Sequence, residues 1–283
     1  MIERNRLLDL LSHGVLWIGL GLIVFPLYIA LVASTHSAQT LAQAPLPIWP
    51  GDQGWANYRA ILSGDGGGVA AQVPVARMLW VSLVMALLIS VGKIAISLLS
   101  AFAIVYFRFR FRLAVFWAIF VTLMLPVEVR IVPTYQVIAD FGLINSYAGL
   151  TIPLIASATA TFLFRQFFLT VPDELVEAAK VDGASPLRFL WDMLLPLSRT
   201  SIAALFVIQF IYGWNQYLWP LLVSTDENMY PIVMGIKRMI SGGDSRIEWN
   251  LVMATAMLAM LPPAAVVILM QKWFVKGLVD SEK

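Results

Sequence analysis

Six long apolar stretches dominate this chain and restrict what it can fold into. They cover approximately residues 14–33, 79–107, 113–133, 147–164, 201–223 and 251–270. A helix needs about 20 mostly apolar residues to cross about 30 Å of hydrocarbon, because its backbone polar groups must all be bonded within the segment. We therefore expect an all-α membrane protein with six transmembrane helices, which form a single domain over residues 1–283.

The composition agrees with lipid as the main solvent. Hydrophobic residues make up 60% of the chain, charged residues only 13%, and the mean hydropathy is +0.81, whereas soluble domains carry about 25% charged residues. A net charge of +2 does not indicate nucleic-acid binding. The chain has no cysteine and only two histidines, His13 and His36, so we predict no catalytic residues and no metal ligands.

The first apolar stretch has an alternative interpretation as a cleaved signal peptide, because it follows Arg4 and Arg6 and precedes small residues. Its uncharged run is about twice as long as the apolar region of a signal peptide. No convincing cleavage sequence follows it. The residues favour a membrane span.

Lysine and arginine are concentrated on one side of the predicted membrane. The two terminal tails and the second-to-third and fourth-to-fifth connections carry Arg4, Arg6, Arg108, Arg110, Arg112, Arg165, Lys180, Arg188, Arg199, Lys272, Lys276 and Lys283. The positive-inside rule places these segments, and both termini, in the cytoplasm. The outer segments 34–78 and 224–250 are long and turn-rich, and they could dock an external partner or serve as solvated connectors.

The connection between spans four and five, residues 172–200, has the pattern of two helices. Pro172 suits a first helical turn, and the acidic residues that follow favour the positive end of the helix dipole. Gly183 ends this helix, and Ser185 with Pro186 begins a second one that ends near Pro196. The small Ala178 and Ala179 would let a partner approach the first helix, with Glu177 beside the contact. An amphipathic helix that rests on the membrane surface is the alternative.

These residues resemble the EAA loop of the membrane subunits of bacterial ATP-binding-cassette importers. The resemblance rests on Glu177, Ala178, Ala179, Gly183, Met193, Leu195 and Pro196, with Met193 where isoleucine is usual. The carbohydrate-type permeases also resemble the chain at 55–58, 214–215 and 218–222. Within that family, stretches 122–131, 157–168, 211–222 and 277–283 are similar to permeases for glycerol 3-phosphate, so this substrate is expected, with glycerophosphodiesters as further candidates.

The resemblance implies a type I importer permease in the bacterial inner membrane that works by alternating access. Its partners would be a second homologous permease, two ATPase subunits, a periplasmic substrate-binding protein and the lipid bilayer. The chain has no G-x-x-x-x-G-K-[ST] motif. ATP and Mg would therefore bind to the partner ATPase, and this chain itself would bind no cofactor. Glu177, Ala178, Ala179, Gly183, Leu195 and Pro196 would belong to the coupling helix pair between helices 4 and 5.

Two spans carry polar residues on one face. In span two, a stripe contains Ser82, Ser90, Lys93, Ser97 and Ser100, and an ammonium near the middle of a span should face protein or a water-filled cavity. In span five, Gln209, Tyr212, Gln216 and Trp219 share a face beside Asn215. Lys93, Gln209, Tyr212, Asn215 and Gln216 are therefore candidate residues of the translocation pathway. Alternatively, the stripes mark helix or subunit contacts, and Lys93 pairs with the partner permease.

Other function classes lack their usual residues. A stand-alone secondary transporter or channel would place coupling carboxylates within the bilayer, and the predicted span interiors contain none in a clearly central position. An intramembrane hydrolase would need an embedded Ser/His, paired Asp or His-metal arrangement that the sequence does not offer. A permease of another carbohydrate importer is the nearest alternative.

Overall fold

Three long helices form the simplest part of the fold. A computed structural model of the chain describes residues 6–65, 74–122, 125, 127–241 and 247–280, and the regular secondary structure of these residues is helical. Helices α1 (Arg6–Ala33), α4 (Val75–Tyr106) and α14 (Trp249–Asp280) each contain an apolar run long enough to cross a membrane. They confirm the helices predicted over 14–33, 79–107 and 251–270.

Two other predicted spans are interrupted. The stretch 147–164 is α7 (Tyr147–Leu154) followed by α8 (Ala158–Phe168), bent by 50°. The helix restarts because the Ser157 side chain accepts a hydrogen bond from the backbone of Ala160 and caps α8. The stretch 201–223 is α11 (Arg199–Trp214) followed by α12 (Leu218–Val223). Pro220 cannot donate to the carbonyl of Gln216, which favours a break there.

The prediction of one helix over 113–133 is also wrong. This stretch contains α5 (Arg112–Val121) and the beginning of α6 (Val127–Asp140). Pro126 lies between them in the sequence, and proline disrupts a helix through its missing N–H and its ring. By length and composition, the described residues offer three membrane-spanning helices, or up to five when each bent pair counts as one. Six spans therefore stay a prediction.

Shorter helices lie in the connections. Helices α2 (Ala38–Leu41) and α3 (Gly54–Ser63) follow α1, and α13 (Ile232–Ser241) follows a 3-10 turn over Glu227–Met229. The connection between α8 and α11 contains α9 (Asp173–Val181) and α10 (Pro186–Leu197). The two helices predicted over 172–200 are therefore present.

The chain divides into two compact units, and the larger one contains the candidate site. Its described residues belong to 78–234 and 262–283, and the other unit comprises those of 1–77 and 235–261. Two buried clusters organise the larger unit. The Trp219 cluster comprises Val81, Met85, Ile89, Ile138, Leu150, Trp219, Val223 and Met229. The Phe164 cluster comprises Leu98, Ala101, Phe102, Ala160, Phe164, Phe168, Ala179, Phe189, Leu190, Leu194 and Leu205.

Candidate functional site

The first helix of the connection, α9, has well-defined ends. It begins at Asp173, one residue after Pro172, so the predicted place of this proline inside the first turn is off by one position. Asp173 and Glu174 lie at the positive end of the helix dipole. At the other end Gly183 adopts a φ of 68°, its N–H bonds to the carbonyl of Lys180, and the next N–H bonds to that of Ala179. This Schellman motif explains the glycine.

The second helix, α10, begins with the predicted cap. The Ser185 hydroxyl accepts a hydrogen bond from the backbone of Arg188 at 3.3 Å, and Pro186 occupies the first turn. The middle of the helix, Leu190–Leu194, widens into a π-helix that ends two residues before Pro196. A proline cannot complete the ordinary hydrogen-bond ladder, and the wider turn accommodates the change in pairing.

The motif residues of α9 divide between two surfaces. Glu177, Ala178 and Gly183 are exposed. Ala179, by contrast, is only 5% exposed and belongs to the Phe164 cluster, so its methyl group makes an internal contact instead of offering a surface to a partner. Leu195 packs against the same cluster, and Pro196 is exposed. Helix α9 therefore packs against the protein through Ala179 and the partly buried Val176, whereas Val181 is exposed.

A short hinge joins the connection to a long apolar helix. Helix α10 ends at Leu197, α11 begins at Arg199, and their axes differ by 75°. Ser198 between them is fully buried, and its hydroxyl donates a hydrogen bond to the carbonyl of Leu194 at 2.5 Å. A single buried residue therefore connects the two helices.

Helix α11 meets α4 at a buried lysine. The Lys93 Nζ donates a hydrogen bond to Oε1 of Gln209 at 3.0 Å and lies 3.6 Å from the centroid of the Tyr212 ring. Gln209 and Tyr212 are three positions apart and thus neighbours on one face of α11. The structure brings these three predicted pathway residues together, and we call them the Lys93 cluster.

The charge of Lys93 is only partly compensated. The lysine is 6% exposed, and its two contacts are a neutral amide and an aromatic ring. The described contacts of the Lys93 ammonium thus include no carboxylate. A buried cation whose contacts are all neutral strongly attracts an anion.

The other two pathway candidates lie outside this cluster. Asn215 is exposed at the end of α11, and the Gln216 side chain donates to the backbone carbonyl of Tyr212 at 3.1 Å. Trp219, on the same predicted face, is buried and donates its indole N–H to the carbonyl of Gly149 at 3.0 Å. Trp219 therefore ties α12 to α7.

The serines of α4 make packing contacts. Ser82 accepts a hydrogen bond from the backbone of Ile232 at 2.7 Å, and Ser97 donates to the carbonyl of Ser157 at 3.2 Å. Ser90 bonds within its own helix, to the carbonyl of Ala86. The polar stripe thus marks packing contacts at Ser82 and Ser97, which bond to backbone groups. Lys93 differs from these serines because it is charged and contacts the side chains of another helix.

Sequence reasoning missed two residues with a structural role near the site. Ser198 was not recognised as a hinge, because its side chain bonds back to Leu194 and does not cap α11, so no helix-start signal marks it. Arg165, used only to assign orientation, lies with its guanidinium 4.2 Å from the centroid of the Phe116 ring and links α8 to α5. No local sequence signal predicts the contact between Arg165 and Phe116, because only the packing of the helices brings them together.

The described part of the chain holds no group of three or more His, Asp or Glu side chains arranged to bind a metal ion.

Comparison with known proteins identifies the class to which this fold belongs. The family described as "Binding-protein-dependent transport system inner membrane component" matches residues 93–280, more than half of the chain. The chain belongs to this family and is a multi-pass protein of the inner membrane. The family predicted from the EAA-type residues is thereby confirmed.

Its full-length relatives carry a more specific description. The chain is 60% identical to the "sn-glycerol-3-phosphate transport system permease protein UgpE" of Pectobacterium atrosepticum and 59% identical to that of Rhizobium meliloti. Both alignments cover 100% of this chain and of the relative. A Yersinia enterocolitica protein of the same description is 57% identical over the same shares.

A solved structure supports the fold. The crystal structure of a bacterial ABC transporter involved in the import of the acidic polysaccharide alginate matches with a TM-score of 0.78 over 97% of this chain and 99% of the solved chain. At 21% identity this likeness concerns the fold alone. The chain therefore has the all-helical architecture of an ABC importer permease, as the sequence predicted in outline.

Proposed function

We propose that this chain is a membrane-spanning subunit of an importer that moves sn-glycerol 3-phosphate into the cytoplasm by alternating access. The observation that carries the proposal is the 60% identity, over the full length of both chains, to a permease of that transport system. The expected substrate includes a phosphate group, and glycerophosphodiesters share this chemistry. The relatives are permease subunits, so the reaction that drives transport occurs in another subunit.

The assembly follows from the family. This chain pairs with a second, homologous permease, two ATPase subunits bind ATP and Mg beneath the pair, and a periplasmic binding protein delivers the substrate. The chain itself binds no cofactor. It crosses the membrane six times with both termini in the cytoplasm, as one permease domain, so that the connection with α9 and α10 faces the ATPase.

Coupling uses the exposed part of α9. Glu177, Ala178 and Gly183 are exposed together, which suits a helix that docks in a cleft of the ATPase. Ala179 anchors the same helix in the Phe164 cluster, to which α10 and α11 also contribute through Leu194 and Leu205. Closure of the ATPase dimer therefore moves α9, α10 and α11 as a packed group, which suits a two-state rearrangement better than a gradual deformation.

The moving helix also carries part of the Lys93 cluster. Helix α11 begins two residues after the last residue of α10 and contributes Gln209 and Tyr212 to the contact with Lys93. A shift of α11 along α4 would change the distances of the Gln209 amide and the Tyr212 ring from the Lys93 ammonium, and so the strength of both contacts. We assign Lys93 the role of attracting the substrate phosphate when this contact opens. The competing role, a static link between α4 and α11, predicts equal effects on assembly and transport.

Reconstitution tests the proposal. The chain is assembled with its candidate partner permease, ATPase and binding protein in liposomes, and ATP-dependent uptake of radiolabelled glycerol 3-phosphate is measured. Unlabelled glycerophosphodiesters and neutral sugars then compete with the label. Saturable uptake that stops without ATP is expected. Transport of neutral sugars with no transport of phosphorylated substrates would reassign the chain to another carbohydrate importer.

The role of Lys93 needs a separate readout. Lys93→Gln removes the charge but keeps a polar side chain that is one atom shorter. We expect uptake of the phosphorylated substrate to fall by a larger factor than the yield of assembled complex, measured by co-purification of the subunits. Equal losses would show that Lys93 serves assembly.

A further inference from the structure

The segment that follows α1 folds back along the helix from which it emerges. The Tyr28 hydroxyl donates a hydrogen bond to the carbonyl of Ile48 at 2.7 Å. Tyr28 lies five residues before the end of α1 at Ala33, and a helix rises 1.5 Å per residue, so the Tyr28 backbone is about 7 Å back from the helix end. Residues 46–49, which we call the return segment, therefore lie beside the last turns of a candidate membrane span.

Hydrogen bonds hold the return segment in place. His36 Nε2 lies 2.9 Å from the carbonyl of Trp49, and the Thr35 hydroxyl accepts a hydrogen bond from the backbone of Gly51 at 2.7 Å. A Cβ atom at Gly51 would come within 2.7 Å of both the His36 ring and the Thr35 carbonyl. The glycine thus permits a close backbone approach, and the segment is fixed relative to the end of α1.

The outward face of the return segment is apolar. Leu46, Ile48 and Trp49 are 59%, 57% and 73% exposed. No charged residue occurs from residue 37 to residue 51. A fixed, exposed and uncharged apolar face of this kind marks a contact with lipid or with another protein.

The position of the segment favours lipid. Only 6% of the apolar window of α1 is buried within the chain, so the helix presents a continuous apolar surface that the return segment extends. Tryptophan is enriched at the membrane–water boundary, because its ring is apolar and its N–H is polar. Ile48 reaches back to the Tyr28 hydroxyl, and Trp49 is held at His36 just after the last residue of α1, so this face lies at the end of the span, where the membrane–water boundary is expected.

We propose that the return segment inserts Leu46, Ile48 and Trp49 into the leaflet of the bilayer that receives the end of α1. In the orientation proposed above this is the periplasmic leaflet. The side chains lie at the boundary between the headgroups and the acyl chains, where they fix the depth and rotation of α1. The contact is with the lipid itself and requires no transport activity, so its test is independent of the proposed substrate.

The absence of cysteine from the chain makes a site-specific test straightforward. Leu46→Cys and Ile48→Cys are prepared separately, and each is spin-labelled in the assembled complex in phospholipid nanodiscs. Both variants keep Trp49. Gln53→Cys, an exposed site a few residues beyond the return segment, is the matched control, and the cysteine-free chain in the same complex gives the background from partner subunits.

Collisions with molecular oxygen, which concentrates in lipid, are compared with collisions with a water-soluble nickel chelate. We expect the oxygen-to-nickel ratio to be several times higher for labels at 46 and 48 than for the label at 53. Adding Trp49→Asp to Ile48→Cys should lower the ratio, and Trp49→Phe should preserve it. A ratio at 46 and 48 equal to that at 53 would overturn the proposal. The proposal would also be overturned if the labels at 46 and 48 were protected from the nickel chelate only after the substrate-binding protein is added, since that result would reveal a protein-docking surface.

Discussion

The ammonium of Lys93 and the side-chain amide of Gln209 meet at 3.0 Å although 116 positions separate them in the sequence. The contact joins α4 to α11. Helix α11 continues from α10 through the buried Ser198. The contact between Lys93 and Gln209 therefore lies at one end of a series of connected helices, α9, α10 and α11, whose other end carries the exposed Glu177. Five predictions examine this series of helices and the packing around it.

Replacing Gln209 by leucine should destabilise the protein. The change removes the acceptor of a buried ammonium, and an unsatisfied buried charged group costs about 1–3 kcal/mol or more. The midpoint of thermal unfolding of the purified complex should fall accordingly. In the double variant Lys93→Met with Gln209→Leu, neither polar group is left, and part of the loss should be recovered. Strictly additive losses would contradict a direct interaction.

Tyr212 should matter through its ring. The Lys93 Nζ lies 3.6 Å from the ring centroid, and a cation–π contact contributes about 0.5–2 kcal/mol, more as it is desolvated. Tyr212→Leu is expected to lower the thermal midpoint and to change the KM for uptake. Tyr212→Phe retains the aromatic face and serves as the control. A phenylalanine variant as impaired as the leucine variant would show that the hydroxyl, not the ring, is the important group.

Gly183 should tolerate asparagine better than valine. Its φ of 68° lies in the left-handed region, which costs other residues about 1–2 kcal/mol, and asparagine adopts it more readily than β-branched residues. No atom lies within 4 Å of the position that a Cβ would occupy, so the effect comes from the backbone and not from a clash. Gly183→Val should reduce the amount of substrate transported per ATP hydrolysed, while Gly183→Asn stays close to the parent. Equal ratios in both variants would refute the requirement for this conformation.

Glu177→Lys should uncouple ATP hydrolysis from uptake without affecting folding. The side chain is exposed and makes no described ion pair, so reversing its charge leaves the contacts of α9 within the chain intact. ATPase activity stimulated by the loaded binding protein should be lost, while the subunit stays in the membrane. Glu177→Gln keeps the size and hydrogen-bonding capacity and should retain more activity. Full stimulation in the lysine variant would argue against docking at this residue.

Gly213→Ala should loosen the contact between α4 and α11. A Cβ at this position would lie 2.9 Å from the Cα of Ala86 in the opposite backbone, which cannot move without separating the helices. Overpacking of this kind costs about 1–3 kcal/mol. Gly21→Ala is the matched control, because nothing lies within 4 Å of a Cβ there. The thermal midpoints of the two variants should differ clearly, and a match would mean that the helices adjust freely.

Features encoded by a few neighbouring residues could be predicted from the sequence. Ser185 caps α10, and Gly183 ends α9 in the left-handed conformation, because these effects act over one helical turn. The helix breaks were predicted less well. A hydropathy window averages over the prolines and caps that interrupt the stretches 113–133, 147–164 and 201–223, so each of them was read as one helix.

The helical faces of α4 and α11 were also predictable, but the partner of each polar residue was not. Lys93 and Gln209 were recognised separately as polar positions within apolar spans, and periodicity alone contains no information on how two helices align. The same limit applies to Ala179, whose side chain turned out to contact the Phe164 cluster and not an outside surface.

The sequence by itself determined that the chain is helical and membrane-bound, to which family it belongs, and, to within one residue, where α9 and α10 begin and end, because hydropathy and capping are properties of short segments. Only the tertiary structure decided that Gln209 faces Lys93, that Ser198 turns the chain by 75° into α11, and that residues 46–49 return along α1. These relationships depend on the relative position of distant segments, which side-chain packing fixes and local sequence does not encode.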